Sequence, residues 1–117
     1  MTMIADNLQR VRSRISDACG ASGRAPESVT LLAVSKTFGA DAVIEAAQAG
    51  QRAFGENYVQ EAAAKWPGFR AEFGPVAVHM IGPLQTNKAK EAVTLFDVIE
   101  TIDRDRLADA VANDPVY

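Results

Sequence analysis

The sequence predicts an α/β protein with a parallel sheet, on three observations. Helical stripes alternate along the chain with short apolar runs. The first of those runs is long and rich in β-branched residues, as strands buried in parallel sheets are. The connections between runs have the length of helical crossovers. The order reads as one helix followed by four βα units. Right-handed crossovers leave two architectures, an open doubly wound sheet or a (β/α)8 barrel, of which four units are half because a whole one needs about 250 residues.

Each element has its own signal. Ile4, Leu8, Val11, Ile15 and Ala18 recur at spacings of three and four, an amphipathic stripe stopped by Gly20 and Gly23. Residues 29–36, bounded by Pro26 and Gly39, read as a strand buried on both faces. Asp41 caps a second helix, inward on Val43, Ile44 and Ala47 and ended by Gly50. Residues 52–57 form a short strand, and Tyr58, Val59, Ala62, Ala63 and Trp66 mark a helix that Pro67 and Gly68 break. Residues 76–82 are the third strand. Thr86 or Asn87 caps the next helix, inward on Ala89, Ala92, Val93 and Phe96. Residues 98–102 supply the fourth strand, after which Asp103 caps a helix on Leu107, Ala110 and Val111 that Asn113-Asp114-Pro115 ends. No linker interrupts this order, so residues 1–117 are expected to form a single, incomplete barrel domain. Half a barrel has two open sheet edges and an uncovered inner face, and such a piece is expected to pair with a partner or self-associate.

Composition narrows the function. Hydrophobic residues at 48% and charged residues at 23% are ordinary for a folded α/β domain. A net charge of −3 gives no basic field for nucleic acid or an anionic membrane, while a small phosphorylated ligand stays compatible. Arg10, Arg12, Arg14 and Arg24 are the one local positive excess, and a solvated helix face accounts for them. The single cysteine, Cys19, excludes a disulfide framework and fits a reducing cytoplasm. Charges at every turn of residues 1–14 exclude a secretory signal, and no later run approaches a membrane span.

The chemistry is expected at the carboxyl ends of the strands, where α/β folds bind ligands. Lys36 closes the first apolar run and shares a face with Leu32 and Val34. That apolar, partly desolvated setting would favour the neutral amine and make it nucleophilic towards a carbonyl. The plainer reading is a lysine that extends from the strand end into water. Asn57 shares a face with Ala53 and Gly55, and His79 with Ala77 and Ile81; small residues beside a polar one suit a barrel mouth. Taken alone, Asn57 serves equally as a helix cap, Tyr58 as a packing residue, and His79 as a hydrogen-bonded core histidine. No second imidazole or thiol is near enough in sequence to suggest a metal site, so none is expected. The chain also lacks Gly-x-Gly-x-x-Gly, Gly-Lys-Ser/Thr and His-Glu-x-x-His, which removes the usual support for nucleotide and zinc-protease readings.

Four blocks carry more than their parts. They are Leu32-Ala33-Val34-Ser35-Lys36-Thr37, Phe54-Gly55-Glu56-Asn57-Tyr58-Val59-Gln60-Glu61, His79-Met80-Ile81-Gly82-Pro83-Leu84-Gln85-Thr86-Asn87-Lys88 and Thr101-Ile102-Asp103. In this order and spacing the chain closely resembles the amino-terminal half of the pyridoxal phosphate homeostasis protein family, also called YggS or PROSC-like. The resemblance implies a TIM-type (β/α)8 barrel like the amino-terminal domain of alanine racemase. It also implies pyridoxal 5′-phosphate held as a Schiff base on Lys36, with Val34, Asn57, His79 and Ile81 around it. Family members are regarded as cofactor carriers or regulators in vitamin B6 and amino-acid homeostasis, with no established turnover. Val78 and Met80 stand where the family commonly has aromatic residues. In the family, the phosphate cup and the arginine facing the pyridine nitrogen belong to the carboxyl-terminal strands, which lie outside these residues.

Two rival expectations stand beside that one. A fold-type-III enzyme such as an amino-acid racemase would need a second acid/base on the opposite face of the cofactor, and no residue here supplies it. A half barrel without bound cofactor is the other.

Overall fold

The computed structural model describes residues 3–115. Ile4, Leu8, Arg12, Ile15 and Cys19 step along one face of α1 (Met3–Ser22), and Cys19 is the helix's buried residue. This stripe lies one residue away from the expected one at two turns, where Val11 and Ala18 are exposed. Arg12 is the cause: its guanidinium donates to Ala49 O at 2.9 Å and Gln51 Oε1 at 2.8 Å, so it docks the helix rather than solvating it. The helix runs through Gly20 and ends before Gly23, whose φ of +71° suits a residue without Cβ.

The repeat follows as β1 (Ala33–Val34), α2 (Ala40–Gln48), β2 (Ala53–Glu56), α3 (Val59–Phe73), β3 (Ala77–Met80), α4 (Ala89–Leu95), β4 (Val98–Ile99) and α5 (Asp105–Ala112). The strands are all parallel and lie in the order β1-β2-β3-β4. This order decides between the two architectures. A doubly wound sheet reverses its strand order at a switch point, whereas a barrel adds each new strand to the same edge. The chain therefore forms four consecutive units of the (β/α)8 type.

Helices cover one sheet face. Phe54, Val78 and Met80 point towards them and are buried with Trp66, Ala62, Leu84, Ala92 and Leu107 in one core. Phe54 meets Trp66 at 5.0 Å between ring centroids and Trp66 meets Phe69 edge-on at 5.3 Å, pairs that each add about 0.5–1.5 kcal/mol beyond burial. On the other face Val34 and Val98 are exposed.

Several expectations need correction. The run 29–36 pairs over only two residues, and Val34 is 49% exposed rather than buried, because β1 has a neighbour on one side and nothing over its inner face. Asp41 and Asp103 do not cap: Gly39 and Arg104 occupy the cap positions of α2 and α5, and neither caps its helix through a side chain. A 3-10 turn at Thr86–Lys88 leads into α4, whose cap position is Lys88 rather than Thr86 or Asn87. Pro67 and Gly68 do not break α3, which continues to Phe73. Beyond the proline, Phe69 is buried and stacks on Phe73 at 5.1 Å, while Arg70 donates to Leu95 O at 3.0 Å and Asp97 Oδ2 at 2.6 Å. Tertiary anchoring outweighs the lost backbone bond, and the carbonyl it frees, on Ala63, belongs to an exposed residue that water reaches.

Candidate functional site

The sheet brings Val34 and His79 onto its open inner face and leaves the other expected residues at the carboxyl ends of its strands. One rung is Val34, Gly55, His79 and Val98, each opposite the next. The pairing continues one step further: Ser35 N–H donates to Gly55 O at 2.9 Å, Ile81 N–H to Glu56 O at 2.9 Å and Glu100 N–H to Met80 O at 3.0 Å. Beyond these bonds the chain leaves the sheet: Lys36 sits in the turn after β1, Asn57 in the bend after β2, and Ile81 and Glu100 follow β3 and β4. Gly55 forms the floor between Val34 and His79, since a Cβ there would lie 2.8 Å from Ile81 Cδ1 and 3.2 Å from Leu32 Cδ2. Val34, His79 and Val98 thus share one face, with Ile81 reaching over Gly55, while Lys36 and Asn57 stand at the carboxyl ends of β1 and β2.

Their surroundings differ from expectation at three points. Lys36 is exposed rather than desolvated, because it stands in the turn after β1 and no described residue covers it. His79 is partly buried on that open face, with Nδ1 3.2 Å from Glu100 Oε1, so its partner is an exposed carboxylate rather than the core. A carboxylate only accepts, so the ring nitrogen donates in this pair. Tyr58 is 61% exposed and occupies the cap position of α3, so it neither packs in the helical stripe nor leaves that place to Asn57.

Asn57 instead lies under the exit of β3. A Cβ on Gly82 would stand 2.6 Å from Asn57 O and 2.8 Å from its Cα, so only glycine allows this close crossing. Thr101 Oγ1 donates to Gly82 O at 2.7 Å, and Arg104 donates to Leu84 O at 2.7 Å and Thr86 Oγ1 at 3.2 Å. These bonds fasten the loop after β3 at the rim of the site.

Behind Lys36 lies a charged cluster that sequence reasoning missed. Glu56 points to the helix side of β2 and is fully buried. Its Oε2 accepts from Ser35 Oγ at 2.6 Å, Lys65 Nζ at 2.9 Å and Trp66 Nε1 at 3.2 Å, while Oε1 has no partner. Lys65 also donates to Ser35 O at 2.8 Å. One turn earlier on α3, both Glu61 oxygens lie 2.9 Å from the Thr37 backbone N–H. That bond holds the Glu61 carboxyl below its usual range; partial burial opposes the shift, and the Lys65 charge adds to it. A signal existed in the sequence. Alternation places Glu56 on the same side as Phe54, where a carboxylate demands a partner, and Glu61 with Lys65 is an i, i+4 pair.

Among the described residues no group of three or more His, Cys, Asp or Glu is placed to hold a metal ion, and no helix is long and apolar enough to cross a membrane.

No family model matches the chain. It is 53% identical over 110 residues to the pyridoxal phosphate homeostasis protein of Escherichia coli K12, covering 92% of this chain and 47% of the relative. The Pseudomonas aeruginosa protein of the same name is 46% identical over 110 residues, covering 92% and 46%. The chain spans about half the length of the curated relatives it matches. Among solved structures, PipY of Synechococcus elongatus PCC7942 with PLP bound superposes with a TM-score of 0.79 at 42% identity, covering 93% of this chain and 46% of PipY. A protein of unknown role from Bifidobacterium adolescentis superposes at 0.86 with 36% identity, covering 93% and 48%. With the four sequence blocks and the barrel-type sheet they occupy, these likenesses make the chain similar to the amino-terminal half of the pyridoxal phosphate homeostasis proteins.

Proposed function

We propose that the protein binds pyridoxal 5′-phosphate through the Lys36 amine and serves vitamin B6 and amino-acid homeostasis as a carrier of the cofactor rather than as a catalyst. The observation that carries this reading is the placement of Lys36. It is an exposed primary amine just past the carboxyl end of β1, next to the strand end that pairs Val34 with Gly55. A primary amine is the donor that an aldehyde cofactor needs, so the residues fit the covalent attachment. When bound, the cofactor supplies the aldehyde carbon with which the amine condenses to a Schiff base, releasing water. Val34 and Ile81 offer apolar contacts to a flat ring, Asn57 and His79 offer polar ones, and Glu100 fixes the His79 ring nitrogen. PipY, the solved relative carrying PLP, supports the assignment. The resemblance assigns the phosphate cup to strands outside these 117 residues.

Absence of turnover is part of the proposal. Net racemisation takes a proton from one face of the cofactor adduct and delivers one to the other, and the inner-face residues provide no evident pair of acid/base groups for it. The single cysteine is consistent with a reducing cytoplasm as the place of action. The test uses a chain extended to the length of the relatives, loaded with pyridoxal 5′-phosphate. The Schiff base should give a visible absorption band that Lys36→Ala abolishes while leaving the circular dichroism unchanged. A band that persists in the variant would move the attachment to another residue. Supplied with alanine or serine, the loaded protein should exchange its bound amine without racemising, decarboxylating or transaminating the amino acid, and sustained turnover would make it an enzyme.

A further inference from the structure

Thr37, directly after Lys36, is the only non-glycine residue with positive φ among the described residues, at +67°. For a β-branched residue this conformation is strained, and it persists only where the surroundings impose it. Both neighbours of Lys36 are held from the helix side of the sheet. Ser35 is bound at three atoms: its N–H donates to Gly55 O, its hydroxyl to Glu56 Oε2, and its carbonyl accepts from Lys65 Nζ. Thr37 is bound by its N–H, which both oxygens of Glu61 receive at 2.9 Å. Lys36 itself, between them in the turn, is exposed.

We propose that Glu61 is a positioning residue, whose carboxylate clamps the Thr37 amide and so fixes the left-handed turn that presents the Lys36 amine to its carbonyl ligand. This rests on the reading of Lys36 as the attachment residue. The division of labour follows from chemistry. A carboxylate placed beside the amine itself would pair with it and favour the charged, non-nucleophilic form, whereas one spent on a backbone N–H orients the lysine from behind. Glu61 lies in the first turn of α3, an element anchored by buried Val59, Ala62 and Trp66, so the clamp is set on rigid structure. Ser35 is held independently by Glu56 and Lys65, and loss of Glu61 would therefore free the turn at Thr37 without detaching β1.

The experiment compares Glu61→Ala, Glu61→Gln and Lys36→Ala with the unaltered protein, all at the length of the relatives. Amide hydrogen exchange reads the clamp without any cofactor. Exchange at Thr37 should rise roughly tenfold or more in Glu61→Ala while peptides from α4 and α5 keep their protection. Unchanged exchange at Thr37 would overturn the proposal. Absorbance then reads the rate at which added pyridoxal 5′-phosphate forms its Schiff base. That rate should fall about tenfold in Glu61→Ala and return to within about threefold in Glu61→Gln, whose amide oxygen still accepts from Thr37. An unchanged rate in Glu61→Ala, with the adduct abolished in Lys36→Ala, would overturn the positioning role and leave the proposed function standing. An adduct that survives Lys36→Ala would instead overturn the attachment, and with it the role assigned to the clamp. Should the alanine variant fail to fold, Glu61→Leu, which keeps side-chain bulk but has no acceptor, takes its place: Thr37 exchange should rise and the adduct rate fall as stated, and no change in either would overturn the proposal.

Discussion

Glu56 shows how much of this site rests on one buried side chain. It accepts from Ser35, Lys65 and Trp66 with no exposure to solvent, and Lys65 has only 7% of its side chain exposed. A buried pair is weak evidence of net stabilisation, but removing one partner strands the other. Glu56→Ala should cost about 3–5 kcal/mol in urea unfolding because Lys65 would stay buried without its counter-charge. Glu56→Gln, which keeps an acceptor, should cost less. Glu61 has a pH signature of known sign. Its folded-state pKa is lowered, chiefly by the Thr37 amide, so its contribution is complete above the unfolded value, about 4.3, and is lost as pH falls through the lower folded value. Urea midpoints should decline with acid in that window, and Glu61→Gln should flatten the profile there; equal slopes would mean that the clamp does not form.

At the scale of an element, α3 is the informative one. It holds Glu61, Lys65 and Trp66 towards the sheet and continues through Pro67 to Phe73. Proline in a helix interior costs about 3 kcal/mol relative to alanine, partly offset because it also restricts the unfolded chain. Pro67 is exposed, so Pro67→Ala restores a backbone donor without disturbing a packed contact. The substitution should raise the thermal midpoint, by the equivalent of roughly 1–2 kcal/mol. A lower midpoint would show that α3 needs the proline. The expected break at Pro67 came from local punctuation, and the aromatic stack of Trp66, Phe69 and Phe73 with the Arg70–Asp97 pair outweighs it.

For the whole molecule, the inner sheet face and both edge strands decide behaviour in solution. Val34, Val98 and Ile102 are between 40% and 49% exposed, and β1 and β4 each have one free edge. The isolated 117-residue chain should therefore self-associate or bind an apolar dye, and it should lose pyridoxal phosphate on dialysis faster than a chain extended to the relatives' length. Light scattering and absorbance after dialysis read both. A monodisperse monomer that retains stoichiometric cofactor would contradict this account of the open face.

The sequence by itself determined the order of four βα units and the shared face of Val34 and His79, because these follow from local alternation and from the reach of short connections. It also carried the family likeness in its four blocks. Tertiary structure alone decided what lies behind that face. The partners of Glu56 stand 21, 9 and 10 residues away, and Thr37 meets Glu61 across 24. Such contacts depend on how β1, β2 and α3 pack, which no periodicity encodes. The same holds for exposure: an apolar run predicts a buried strand only when another layer covers it, and over Val34 and Lys36 the described residues place none.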